Sequence, residues 1–91
     1  MIWARRVDST HANIIGTLRA TGWAVADTSR LSNFADAVAH KHGDVRLIEI
    51  KTGNKPLTSS QLKLIAQGFP VYVLRCREDA LELLALAPEE R

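Results

Sequence analysis

The sequence predicts an α/β domain with a mixed central sheet flanked by helices, on three observations. Helix-spaced apolar residues open the chain, two strand-like runs flank the turn His42-Gly43, and a helix with a capping-box signature separates those runs from a further β-branched strand. The order is helix, strand, strand, strand, helix, strand, helix, which is a meander followed by a crossover. With 91 residues the chain has room for one domain, residues 1–91, and 46% hydrophobic with 24% charged residues is the balance of a folded globular chain. The lone Cys76 excludes an internal disulfide scaffold. No run approaches the ~18 apolar residues of a membrane span, and no apolar stretch follows Arg5-Arg6 as a leader would require. A reducing, cytoplasmic location without a membrane partner is expected.

Each element has a local reason. In the first helix Ile14, Ile15 and Leu18 recur at helical spacing, Asp8 or Ser9 is placed to cap the start, and Gly22 stands where a left-handed residue ends a helix. Trp23 to Asp27 is a short strand that runs into the polar loop Thr28-Ser29-Arg30. A two-residue His42-Gly43 turn pairs Lys41 with Asp44, sets Val38 against Leu47 and places Asp36 opposite Glu49. In that register Lys41 and Asp44 form a cross-strand ion pair, and Ala35, Ala37, Ile48 and Ile50 share a core face. After the Gly53-Asn54 turn, Thr58 and Gln61 fit a capping box, and the helix that follows carries Leu62, Ile65 and Ala66 inward until Gly68. Val71 to Leu74 is a buried strand. In the last helix Glu78 and Asp79 lie at the positive N-terminal end, Ala80, Leu81, Leu84 and Ala85 line one face, and Pro88 ends it.

Charge is unevenly distributed. The net +2 conceals a body of +6 through Arg77 and a tail of −4 from Glu78 onward. A basic body suits a polyanionic partner. Within it, Glu49 and Lys51 project from one face of a strand while Ile50 turns to the core, and the hairpin register adds Asp36 to the same face. Two such carboxylates repel unless a divalent cation joins them, and hard oxygen donors suit Mg²⁺ or Mn²⁺ with phosphate oxygens in the remaining positions. Lys51 then positions or deprotonates a water, or neutralises charge developing on the phosphate. The plainer reading is a solvated Glu49–Lys51 pair with Asp36 as a strand-start cap.

Asp36, then Leu47-Ile48-Glu49-Ile50-Lys51-Thr52, then Leu57-Thr58-Ser59-Ser60-Gln61, with Pro70 to Leu74 and Glu78 to Leu81, resemble the PD-(D/E)XK nuclease superfamily. Within it they look most like small stand-alone VRR-NUC domains of phages and bacteria. The resemblance implies a restriction-endonuclease-like core, αβββαβ plus a C-terminal helix, and metal-dependent hydrolysis of phosphodiester bonds. It further implies that Asp36, Glu49 and the Ile50 carbonyl ligate Mg²⁺ or Mn²⁺, that Lys51 is the catalytic lysine, and that Gln61 lies near the site. The capping box is an equally good role for Gln61. The sequence departs from the family in two places: Ala35 precedes Asp36 where a proline is common, and Asn13, with His11 and Asp8 nearby, stands where many members place a glutamate. Asn13 can orient water or phosphate but brings no charge to a second metal.

The remaining residues add little chemistry. His40 and His42 form an H-x-H pair without the further ligands that structural zinc needs, though His40 shares the Asp36 face and can touch substrate. Cys76 reads as a small buried apolar residue, and Trp3 as a hydrophobic staple, a dimer contact or a base-stacking platform. Lys55, Arg30 and Lys63 are placed to contact phosphates. The expected activity is a DNA endonuclease selective for branched, flap or junction structures, acting as a homodimer. The alternative is a nuclease-fold module that binds nucleic acid or assembles with partners without cutting.

Overall fold

A computed structural model describes residues 5–85, and of residues 5–9 the backbone alone. Its elements are α1 (Arg5–Ala20), β1 (Ala24–Asp27), β2 (Ala37–Lys41), β3 (Asp44–Ile50), α2 (Ser59–Ala66), β4 (Val71–Leu74) and α3 (Arg77–Leu81), followed by a 3₁₀ turn, Leu83–Ala85. The four strands form one sheet in sequence order. β1, β2 and β3 pair antiparallel, and β3 pairs parallel with β4 across the α2 connection. This is the predicted order of elements in a mixed sheet.

Both main helices end in the same way. At α1 the Trp23 amide donates to the Leu18 carbonyl and the Gly22 amide to that of Arg19, with Gly22 at φ +102°. At α2 the Phe69 amide donates to Leu64 and that of Gly68 to Ile65, with Gly68 at φ +95°. These are Schellman closures, which glycine permits because it carries no Cβ into the left-handed region. The start of α1 differs from expectation: Asp8 and Ser9 lie inside the helix, so neither is its cap. Trp3, Pro88 and the terminal charges after it lie outside the described residues.

The hairpin has the predicted register. His42 at φ +54° and Gly43 at φ +83° make the left-handed turn, Lys41 pairs with Asp44, and Val38 pairs with Leu47. The predicted ion pair does not form. Lys41 Nζ donates to the Thr21 carbonyl at 2.7 Å, while Asp44 Oδ2 accepts from Arg46 Nη2 at 2.6 Å and Nε at 3.1 Å. Arg46, two residues along the same face, offers a planar fork that lysine lacks.

The sheet buries both faces. One packs Ala37, Ala39, Ile48, Tyr72 and Leu74 against Ile14, Ile15, Leu18, Trp23, Ala80 and Leu83, under α1 and the C-terminal elements. The other packs Leu47 and Val71 with Ala35 and Leu64, and with the partly buried Phe34, Val38 and Ile65, under α2. Ala35 therefore belongs with the α2 layer rather than with Ala37, because it precedes β2 and escapes strict alternation. In α2 it is Leu64 that is buried, and both Leu62 and Ala66 are exposed. The last helix breaks into a short α3 and a 3₁₀ turn, a change of period that brings Leu83 inward and leaves Leu81, Leu84 and Ala85 exposed. Cys76 is exposed, in extended backbone ahead of α3.

Arg46 is the cation that the core is built around. Its guanidinium lies 4.5 Å from the Tyr72 ring centroid and 5.4 Å from that of Trp23, and Nη1 donates to the Leu83 carbonyl at 2.7 Å. It thereby joins the central strand to both the end of α1 and the 3₁₀ turn. Replacing it leaves the Leu83 carbonyl unpaired and the rings unfilled, so Arg46→Ala is expected to lose about 2–4 kcal/mol of stability. Asp44 is half exposed, and Asp44→Ala is expected to lose less than about 1 kcal/mol. Urea denaturation of the two variants measures both, and equal losses would contradict this role for Arg46.

Candidate active site

Strand β3 is central, and Glu49 lies near its end between Asp36, which leads into β2, and Val73 of β4. The Asp36 amide donates to the Ile48 carbonyl at 3.0 Å, and its Oδ2 accepts from the Ile50 amide at 2.8 Å. Asp36 thus fills the strand-start role foreseen as the plainer alternative, since β3 extends beyond β2 and its last amide would otherwise lack a partner. The same bond holds the Asp36 carboxylate beside Glu49. Lys51 continues β3, its amide donating to Leu74 at 3.1 Å, and strand alternation puts its side chain on the Glu49 face.

Gln61 fills both of its predicted roles at once. Its Oε1 accepts from the Thr58 amide at 2.7 Å while the Thr58 hydroxyl accepts from the Gln61 amide, so the capping box is complete. Its Nε2 donates to Glu49 Oε1 at 2.7 Å. The two ends of one amide therefore fix the start of α2 and the orientation of Glu49.

Glu49 is fully buried, and its Oε2 has no hydrogen-bond partner. Its pKa is pushed up from an ordinary 4.5 to about 8, first by burial, then by the Asp36 charge and by the hydrogen bond that a protonated Glu49 can donate to Asp36. Lys51 and Gln61 pull the other way without prevailing. Lys51 is half buried and forms no ion pair among the described residues. An orphaned, buried oxygen beside a second carboxylate is a donor set that fits a hard divalent cation, which would take the place of the proton. No group of three His, Cys, Asp or Glu side chains converges among the described residues, so the fit is to two carboxylates completed by backbone oxygen and water.

Of the accessory positions on α1, His11 has a partner elsewhere. His11 Nε2 lies 3.5 Å from Asp27 Oδ2, on the sheet face opposite α2, and Asn13 is exposed. The Asp8 side chain lies outside the described residues. Ser29 donates to Asp27 through both its amide and its hydroxyl, and holds that carboxyl below its ordinary range. His40 and His42 are exposed and gather no further ligand, and Arg30, Lys55 and Lys63 are exposed.

Two further contacts lie beside the predicted residues. Arg75 Nη1 donates to the carbonyls of Gly53 and Lys55, both at 2.9 Å, and so pins the turn that follows Lys51. Asn33, at φ +59°, accepts from the Ser60 hydroxyl at 2.8 Å and ties the 28–36 loop to α2. The Asn33 position had a signal, an asparagine in a polar loop being a residue that tolerates left-handed backbone. Arg75 had none. Comparisons with family models, with curated proteins and with solved structures return no match to this chain.

The raised carboxyl predicts a pH dependence with a definite sign. Between 4.5 and about 8 the folded chain keeps a proton that the unfolded chain releases, so stability falls as pH rises through that window. In chelator, the thermal midpoint of the wild-type chain relative to Glu49→Gln is expected to decline from pH 4.5 to 8, by at most about 5 kcal/mol in free energy. Mg²⁺ or Mn²⁺ should reduce the decline above pH 7. Parallel profiles for the two proteins in chelator would contradict a buried, proton-holding Glu49.

Proposed function

We propose that this chain is a metal-dependent nuclease of the PD-(D/E)XK type, similar within that superfamily to the small VRR-NUC proteins, and that it hydrolyses phosphodiester bonds in DNA. The observation that carries the reading is the Glu49 Oε2 atom, buried beside the Asp36 carboxylate with no hydrogen-bond donor facing it. A glutamate kept only for packing would have both oxygens satisfied or would be replaced by an apolar residue. The order of elements and the mixed sheet are compatible with the αβββαβ core that the resemblance implies.

Asp36, Glu49 and the Ile50 carbonyl would hold Mg²⁺ or Mn²⁺. The bound ion supplies positive charge to a phosphate oxygen and makes water a better nucleophile. The chain's own groups do the rest. Gln61 Nε2 holds Glu49 in one rotamer, and the Ile50 amide holds Asp36, so the donor set is organised before substrate arrives. Lys51 is an uncommitted cation on the same face, and its Nζ donates to the phosphate as negative charge builds there. Exposed Arg30, Lys55 and Lys63 contact flanking phosphates, which fixes position without reading sequence. Selectivity is therefore for DNA shape: branches, flaps or junctions. A homodimer in the cytoplasm completes the proposal, with the exposed Leu81 and Leu84 available for association.

A second reading, a non-cutting module that binds nucleic acid or assembles with partners, is favoured by one observation: no third carboxylate joins Asp36 and Glu49 among the described residues. Supercoiled, linear, single-stranded and four-way-junction DNA, each incubated with Mg²⁺, Mn²⁺ or chelator, separate the two. Metal-dependent cleavage is expected, reduced about 10²-fold or more by Glu49→Ala and by Lys51→Ala. Cleavage in chelator, or in both variants at wild-type rate, would sink the mechanism, and binding without cleavage in either metal supports the second reading.

A further inference from the structure

We infer that the pocket between the 28–36 loop and α2 receives an unpaired nucleobase close to the scissile phosphate. The inference rests on the nuclease reading of Asp36 and Glu49 and gives its shape selectivity a physical basis. The pocket has a volume of about 290 Å³ and is lined by Asn33, Ser60, Lys63, Leu64 and Gln67. The last four follow a spacing of three, four and seven residues and form a single stripe along α2. The neighbouring stripe begins with Gln61, bound to Glu49.

Its lining matches the surface of a base. Asn33 Oδ1 is engaged by the Ser60 hydroxyl at 2.8 Å, which orients the amide and leaves the Nδ2 donors without a partner among the described residues. Gln67 brings a second side-chain amide, able to donate and accept side by side as the edge of a base requires. Leu64, buried at 8% exposure, gives an apolar floor for the ring, and Lys63 at the rim suits the attached phosphate. The volume lies just below the ~300–1,000 Å³ typical of small-molecule pockets, which leaves room for one heterocycle. A base must leave its stack to enter, and unpaired bases at flaps and branches do so at the least energetic cost.

Position supports the assignment. Asn33 precedes Asp36 by three residues, at most ~10 Å of chain, which is about three nucleotide steps at 3.4 Å each. Asn33 also sits at φ +59°, outside ordinary backbone, and the Ser60 bond holds it there.

The test uses the full chain in chelator, where no cleavage occurs, and a flap oligonucleotide carrying 2-aminopurine at one position at a time. A fluorescence change on binding is expected at one or two positions of the unpaired arm and at none in the duplex. Combining Asn33→Gly, which keeps the left-handed backbone accessible, with Gln67→Ala is expected to weaken flap binding about 10-fold and duplex binding less than about 2-fold, with the melting midpoint confirming an intact fold. Equal weakening for flap and duplex, a signal independent of position, or no binding overturns the base site. Competition by inorganic phosphate equal to that by adenosine monophosphate also overturns it, by assigning the pocket to phosphate alone. Flap binding that depends on the pocket, without cleavage in Mg²⁺ or Mn²⁺, keeps the base site and removes the nuclease. Cleavage of flap DNA indifferent to both substitutions keeps the nuclease and overturns the base site.

Discussion

Burying a carboxylate removes it from water, and hydrogen bonds to both oxygens are needed to offset that loss. Glu49 has one such bond, from Gln61, and a second carboxylate beside it that opposes ionisation. The surrounding structure enforces the pairing rather than relieving it. The hairpin register sets Asp36 across from Glu49, the Ile50 amide holds Asp36 in place, and Arg46 fixes the strand between them to three other elements. A proton on Glu49 satisfies this arrangement up to about pH 8. In the proposed function a divalent cation would take the place of that proton.

The division of labour between the two faces of the sheet follows from this. The α1 face holds the larger core and the aromatic box around Arg46, and it fixes the sheet. The α2 face has a thin apolar layer, and α2 is secured by its capping box and its Schellman closure as well as by burial. A thin layer is what lets Gln61 reach Glu49 and leaves space between α2 and the 28–36 loop. Electrostatics are correspondingly local. Of the cations counted in the +6 body, Arg46 is buried and paired, and Arg19, Lys41 and Arg75 are bound to carbonyls. Lys51 and Lys63 form no ion pair among the described residues.

Much of this was legible in the sequence because the relevant signals are local. The His42-Gly43 turn fixed the register that put Asp36 opposite Glu49, and Thr58 with Gln61 announced the start of α2. Local spacing is a weaker guide where burial depends on partners far along the chain. Leu62 looked inward by spacing, yet Leu64 faces the sheet, and the final helix broke into two segments that turned Leu83 inward in place of Leu84. Cys76 is exposed although its residue type is usually buried, because its position precedes a short surface helix. The Lys41–Asp44 pair failed because Arg46, counted only as one of many positive charges, had the better geometry and a place in the core. Among the α1 residues that the resemblance sets near the site, His11 meets Asp27 on the face opposite α2.

The proposed binding of a cation at Glu49 is measurable without any substrate. Calorimetric titration with Mn²⁺ at pH 7, run in buffers of different ionisation enthalpy, reports both binding and the protons released with it. Glu49 titrates near 8, so binding is expected to release most of one proton, and Glu49→Gln should abolish both the release and most of the affinity. Binding that proceeds without proton release and survives Glu49→Gln, or no binding at all, would contradict the assignment of the buried carboxylate pair as a metal site.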